Sequence, residues 1–268
     1  MLVFPNAKIN IGLNIVEKRS DGFHNIESCF YPVAWKDALE ITKADRFEAE
    51  FEGISIPGGG SENICVKAYQ QLAKDFDLPP VKIHLLKAIP IGAGLGGGSA
   101  DAAFTIKALN ELFGLDISFE KQVSYARRLG SDCAFFILNQ PAYCFGKGDE
   151  FENIDLTLKG KWIVLVNPGI HISTVEAYSG VKAEESADLR TLLKMPITDW
   201  KEAVKNDFEA TLFTKHTLLK EIKEKLYSLG AAYASMSGSG STIFGIFQEE
   251  KDLVKYFNGY RVWQGMLQ

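Results

Sequence analysis

Cysteine is scarce in this 268-residue chain, with four residues at positions 29, 65, 133 and 144. No two stand in CxxC spacing, which excludes a zinc knuckle and a thioredoxin-type redox motif. Scattered thiols suit a reducing compartment. The first twelve residues lack the charged-then-apolar pattern of a secretory signal, so a cytoplasmic protein is expected. No apolar run approaches the ~18 residues of a membrane span. Histidine is equally rare, and His84, His171 and His216 form no metal-ligand spacing. A basic block is also missing. Residues 1–150 carry 15 basic and 19 acidic side chains, and residues 151–268 carry 14 and 15. That balance argues against a nucleic-acid surface but leaves room for a local cationic pocket that takes a phosphate ligand.

What remains is an ordinary globular composition, 46% hydrophobic and 24% charged. The length allows one or two domains, each able to bury its own core. Ile9, Ile11, Leu13 and Ile15 alternate with polar or small residues, the period of a half-buried strand over 2–16. After a turn at 19–22, extended runs at 26–33, 39–42 and 47–51 suggest an antiparallel N-terminal sheet. Ile64, Ala68, Leu72 and Phe76 predict a helix over 62–76, with Ser61 as its cap. A strand at 81–86 precedes the run Pro90-Ile91-Gly92-Ala93-Gly94-Leu95-Gly96-Gly97-Gly98-Ser99-Ala100. Ala102, Ile106, Leu109 and Phe113 then mark one helix face that ends at Gly114, and a second helix spans 118–129. A composition shift near 147–160 is the best boundary. Beyond it come a strand at 162–166, a polar, helix-rich stretch at 184–206, a helix at 218–229, and strands at 232–235 and 242–247. Helices and strands mix without strict βαβ alternation, so the class is α+β rather than a doubly wound sheet.

The glycine run carries the chemistry. Five glycines fall among the seven residues 92–98, directly before a helix. Glycine lets the backbone turn sharply and approach a ligand closely. The first N–H groups of a helix have no partners within it, and the helix dipole adds positive potential there. Together they make a phosphate site, with Ser99 as a further donor. A Walker loop is excluded because no lysine precedes Ser99. Gly92-x-Gly94-x-x-Gly97 matches the dinucleotide fingerprint only formally, because no strand separates it from Glu111. The protein-kinase signatures are missing.

PIGAGLGGGSADAA at 90–103 resembles the second motif of the GHMP kinase superfamily, small-molecule kinases that include galactokinase, homoserine kinase and mevalonate kinase. AKINIGL at 7–13 resembles the first motif, and SMSGSGS at 235–241 the third. AKINIGLNIVEKRSDGFHNIES at 7–28 and LGSDCAFF at 129–136 resemble, more narrowly, the branch acting on a diphosphocytidyl methylerythritol alcohol on the methylerythritol phosphate route to isoprenoids. Three departures stand out. Phe23 replaces a common tyrosine, Ser131 a common alanine, and Ser239 a common threonine. The resemblance implies a two-domain fold: a mixed N-terminal nucleotide-binding domain with a left-handed βαβ-type site over 1–150, and a ferredoxin-like C-terminal domain over 151–268.

It also implies roles. ATP is the co-substrate, accompanied by Mg2+ held mainly by phosphates, and the acceptor is a cytidine diphosphate derivative. Nucleic acid and membrane are not expected partners, and a monomer or weak homodimer is expected. Residues Pro90 to Ala100 cradle the triphosphate, while Asn63, Ile64 and the main chain of Lys87 line the adenine pocket. Lys8 supplies a cation and Asp132 accepts the hydroxyl proton. From the residues alone, Lys8 reads equally as an outward strand lysine and Asp132 as a helix cap. His24 would recognise cytosine through its two ring nitrogens, between Phe23 and Tyr178. Asn10, on the same strand face as Lys8, would bond the substrate, and Gly238 and Ser239 would lie near its phosphates. Two other readings stay open: another GHMP kinase of homoserine or mevalonate type, and a non-catalytic ligand sensor.

Overall fold

The structure, a computed structural model, describes residues 1–57, 62–181, 183 and 187–268. The chain forms two compact units, each assembled from separate stretches. The first takes Met1–Ala7, Trp35–Ile91 and Gly96–Gln140; the second takes Lys8–Ala34, Gly92–Leu95 and Pro141–Gln268.

The first unit is built on a four-stranded sheet. In chain order its strands are β1 (Leu2–Val3), β4 (Ala38–Lys43), β5 (Glu48–Gly53) and β6 (Val81–Lys87), arranged β1-β4-β6-β5. The intervening β2 (Asn6–Lys18) and β3 (His24–Lys36) run almost wholly in the second unit. Four helices complete the first unit: α1 (Ile64–Phe76), α2 (Gly97–Phe113), α3 (Phe119–Leu129) and α4 (Cys133–Leu138). The helical period explains α1, whose Cys65, Ala68, Tyr69 and Leu72 are buried. Ala102, Ile106 and Leu109 do the same for α2, and Leu39, Ile41, Ile83 and Leu85 supply buried apolar side chains from the strands. Each such aliphatic side chain, fully removed from water, contributes about 1.5–3 kcal/mol. Gly114 ends α2 in the left-handed conformation, and Gly130 follows α3.

The second unit holds two sheets. One orders β2-β3-β7-β8, with β7 at Ala142–Phe145 and β8 at Glu150–Asn153. The other is antiparallel throughout, β10-β11-β9-β12, from β9 (Trp162–Asn167), β10 (Tyr233–Met236), β11 (Ile243–Phe247) and β12 (Arg261–Met266). That is the 2-3-1-4 order of a ferredoxin-like sheet. Between β9 and β10 the chain makes α5 (Thr174–Tyr178), α6 (Leu189–Leu192), α7 (Trp200–Ala203), α8 (Phe208–Lys215) and α9 (Thr217–Ser228). One core joins Leu13 and Ile15 of β2 to Val164, Val166, Phe208, Leu212, Ile222, Leu226 and Ile243.

Two expectations change. The N-terminal strands do not form a single antiparallel sheet: β2 and β3 belong to one, β4 and β5 to another, and β5 runs parallel to β6. The reason is that α1 lies between β5 and β6, a crossover long enough to bring the chain back in the same direction. Helix α1 begins with Asn63 as its cap, whose Oδ1 accepts from the Cys65 N–H at 2.8 Å; Ser61 lies outside the described residues. Lys147, Gly148 and Asp149 lie in the turn of the β7–β8 hairpin, closed by a bond from the Gly148 N–H to the Phe145 carbonyl.

All four cysteines are buried free thiols, and burial pushes Cys29 and Cys133 up to about 12. Titration with a thiol-reactive chromophore should therefore find almost none reactive in the folded protein and all four in guanidinium. A fast-reacting thiol in the native state would contradict this packing.

Candidate active site

The glycine run divides between the units, with Gly92–Leu95 in the second and Gly96 onward in the first. In the first unit, α2 starts at Gly97 with Gly96 at the cap position. No side chain caps it, and no acidic residue occupies its first turn. Helices α1, α3, α5 and α6 are capped by Asn63, Ser118, Ser173 and Asp188, whereas α4, α7, α8 and α9, like α2, have no side-chain cap. The longest of these helices thus presents its first amides uncapped, the arrangement that attracts an anion. A Cβ built on Gly98 meets nothing within 4 Å, and Gly98 is exposed. Internal packing therefore gives no reason for glycine there. Pro90 and Ala100 are buried, whereas Ile91 is exposed.

Also in the first unit, α2 packs against α4, and Ser99 near the start of α2 lies close to Cys133, the residue after Asp132. Asp132 stands at the cap position of α4 with helical backbone angles (φ −77°, ψ −12°) and makes no capping hydrogen bond. The plain cap role is thereby removed. Asn63 is buried, as is the Lys87 side chain, whose amine pairs with Asp37 and Asp101. The Lys87 carbonyl accepts from the Ile54 N–H at 2.9 Å.

In the second unit a chain of hydrogen bonds joins the first and third motifs to the glycine run. Lys8, 3% exposed, donates from Nζ to Asn10 Oδ1 at 2.5 Å and lies 4.3 Å from the centre of the Phe30 ring. Asn10 Nδ2 donates to Ser28 Oγ at 2.9 Å, and Ser28 Oγ to the Gly12 carbonyl at 2.6 Å. The Asn10 N–H donates to Ser237 Oγ at 3.2 Å, and Ser237 Oγ to the Gly94 carbonyl at 2.7 Å. The Lys8 N–H bonds the Leu95 carbonyl, and the Thr242 N–H bonds the Ala93 carbonyl. Gly94 must be glycine: its φ is +78°, and an added Cβ would fall 1.9 Å from the Ser237 carbonyl oxygen. Gly238 is also left-handed (φ +56°) but less crowded, its built Cβ 3.2 Å from Asn10 Oδ1. Ser239, its neighbour, is half-buried.

The expected aromatic group is assembled differently from a simple sandwich. Tyr178 stacks on His24 itself, with centroids 4.6 Å apart and 20° between planes, and meets Phe208 edge-on. Phe23 is 60% exposed, with Lys147 Nζ 5.4 Å from its ring centre. Arg19 and Asp21 order this loop through an ion pair and through the Asp21 carboxylate, which accepts from the Phe23 N–H.

Several supporting residues escaped sequence reasoning. Asn206 donates to the Met236 and Gly238 carbonyls, both at 2.8 Å, and so holds the third motif. Glu209 accepts from Ser235 Oγ and the Met236 N–H. No local pattern marks either one. Asp101, within the second motif, carried a signal: a carboxylate one residue from a strongly apolar helix face. Among the described residues no group of three histidine, cysteine, aspartate or glutamate side chains could hold a metal, and no helix is long and apolar enough to cross a membrane.

Comparison with known proteins agrees with this geometry. The profile for the GHMP kinases N terminal domain matches residues 63–147, and that for the GHMP kinases C terminal matches residues 189–258. The chain belongs to the GHMP kinase family. A relative from Bacteroides fragilis, named 4-diphosphocytidyl-2-C-methyl-D-erythritol kinase, is 50% identical over 260 residues, covering 95% of each chain. A crystal structure of 4-(cytidine 5'-diphospho)-2C-methyl-D-erythritol kinase superposes with a TM-score of 0.85 at 29% identity, covering 99% of this chain and 98% of that one. Methanococcus jannaschii mevalonate kinase shares the fold, with a TM-score of 0.74 at 15% identity over 100% of this chain and 98% of its own.

The two glycines at 94 and 98 separate packing from ligand approach in this GHMP kinase. Gly94→Ala should lower the unfolding free energy by about 2–4 kcal/mol, from backbone strain plus overpacking. Gly98→Ala should leave it unchanged or raise it by up to ~1 kcal/mol. Denaturant titration of the two variants checks the contrast; equal losses would contradict it.

Proposed function

We propose that this protein transfers the γ-phosphoryl group of ATP to the 2-hydroxyl of 4-diphosphocytidyl-2-C-methyl-D-erythritol, a step of the methylerythritol phosphate route to isoprenoid precursors. The observation that carries the reading is half-identity, over nearly the whole chain, to an enzyme named for that acceptor. The uncapped start of α2, open at Gly98, supports a triphosphate site over Pro90–Ala100. In this reading Asn63, Ile64 and the Lys87 main chain line the adenine pocket within a nucleotide-binding domain at 1–150. The nucleotide enters as its magnesium complex, with the metal held by phosphate oxygens and water. Asp37 and Asp101 are buried and engaged with Lys87.

Phosphoryl transfer needs in-line positioning and neutralisation of the moving charge. Lys8 supplies the cation. Asn10, engaged with both Lys8 and Ser28, fixes the direction of that amine in addition to bonding substrate. Asp132 accepts the proton of the acceptor hydroxyl as its oxygen bonds the γ-phosphorus and the bond to the β-phosphate oxygen breaks, releasing ADP. His24, backed by Tyr178, reads the cytosine edge, Phe23 covers the base, and the turn at Gly238 and Ser239 borders the acceptor's phosphates. Buried, unpaired thiols support a cytoplasmic protein, acting as a monomer or weak homodimer.

Steady-state turnover with the diphosphocytidyl acceptor, mevalonate and homoserine tests the assignment. Product should form from the first alone; nucleotide binding without ATP-dependent product would mean a sensor. Asp132→Asn should cut kcat by about 100-fold or more, the range of a lost general base, while ATP still binds. Near-normal turnover would remove its proton-accepting role. His24→Ala should raise the acceptor KM by about tenfold, the factor for one lost hydrogen bond of ~1.4 kcal/mol, and leave ATP affinity alone. Equal losses for both ligands would contradict cytosine recognition.

A further inference from the structure

Beneath the start of α2 lies a charged cluster that the proposed chemistry does not use. Asp37, Lys87 and Asp101 are 1%, 3% and 2% exposed. Lys87 Nζ, at the end of β6, pairs with Asp37 Oδ2 and, at 2.6 Å, with Asp101 Oδ2. Asp37, at the β3–β4 corner, also accepts on Oδ1 from the N–H groups of Ala88 and Ile89 at 2.6 and 2.8 Å. Its own N–H donates to the Pro5 carbonyl. Asp101 sits one turn into α2, and its Oδ1 is buried with no hydrogen-bond partner among the described residues. The cluster thus ties the segment that leads into the glycine run to the first turn of the helix that leaves it.

Gly97 shows how close this tie comes to the anion-binding amides. A Cβ built there would fall 2.9 Å from Lys87 Nζ and 2.9 Å from Ile89 Cγ2. A side chain at the first residue of α2 would press on both Lys87 and Ile89. Buried ion clusters add little net stability, because desolvation opposes their attraction, and well-packed apolar residues often serve as well. What a three-way cluster adds is a single geometry, because each charge must meet its partners to avoid an isolated buried ion. Burial raises the carboxyl of Asp101, and the Lys87 amine acts against that rise. Cys65 of α1, whose thiol burial also pushes up, is a titratable neighbour of the cluster.

We infer that Asp37, Lys87 and Asp101 are positioning residues for the nucleotide, a buried clasp that sets where the first amides of α2 stand and hence how tightly ATP is held. The inference rests on the proposed binding of ATP phosphates at that helix start. It assigns the Lys87 amine to the loop's support and leaves only the Lys87 main chain for the adenine pocket. The clasp acts on nucleotide binding, and the transfer step itself needs none of its charges.

The test compares wild type, Asp101→Asn, and the neutral triple variant Asp37→Asn/Lys87→Met/Asp101→Asn, all as the full chain. Asp101→Asn should raise the Kd and KM for ATP by about tenfold. Its kcat at saturating ATP and its acceptor KM should stay within about threefold, the split expected when only ground-state binding is lost. Amide hydrogen exchange at 97–100 in the nucleotide-free protein should speed up while exchange in α9 stays as in wild type. The triple variant, which leaves no unpaired buried ion, should fold and show the same ATP loss, so the test survives if Asp101→Asn alone unfolds. A lowered Tm with ATP affinity within twofold of wild type and unchanged exchange at 97–100 would overturn the clasp and leave a structural cluster. Wild type failing to bind ATP would instead sink the kinase reading, and the clasp with it.

Discussion

The amides at the start of α2 have no carbonyl partners within their own helix and no side-chain cap. A helix end left in that state is stable only where water or an anion meets it. It therefore constrains what surrounds it: a cap at Gly96 or a carboxylate in the first turn would satisfy the amides and close the site. The apolar face of α2 is deeply packed in the first unit, so the helix start is held on a rigid element. Rigid placement lets main-chain donors act with little reorganisation when a charged ligand arrives.

The second unit solves a different problem, that of placing a lysine amine in an almost wholly buried strand. Lys8 is held by Asn10 Oδ1 and the Phe30 ring, and Asn10 by Ser28. Through the Asn10 main chain, Ser237 then ties this strand to Gly94. The third motif acts here as a brace. Its glycine and serine content follows from close backbone approach, because a single methyl group at position 94 would overlap the Ser237 carbonyl. Asn206 and Glu209 hold the brace from the α7–α8 region.

Much of this was legible beforehand. Helices α1, α2, α3 and α9 follow apolar periodicity, and β2, β6, β9, β10 and β11 follow alternation or short apolar runs. The short elements were not legible. The apolar run after Asp132 folds as a single helical turn and a half, too short for periodicity to separate from a strand. The β7–β8 hairpin has four-residue strands whose pairing with β3 is non-local. The parallel pairing of β5 depends on a crossover, which composition does not encode. Among the proposed site residues, the glycine run stood out by type and spacing, Lys8, His24 and Asp132 were marked out only by the family resemblance, and Asn206 and Asp37 carry no local mark.

The amino-acid sequence by itself determined the α+β class, the glycine-rich helix start and the membership of the GHMP kinase family. Each of those rests on contiguous residues: periodicity, a glycine cluster, ordered motifs. The tertiary structure alone decided why the individual glycines are needed and which polar side chains support the functional ones. Those assignments come from contacts between residues far apart in the chain, Ser237 against Gly94 and Lys87 under Gly97 among them. Such contacts follow from how sheets and helices pack, and no local sequence pattern carries that information.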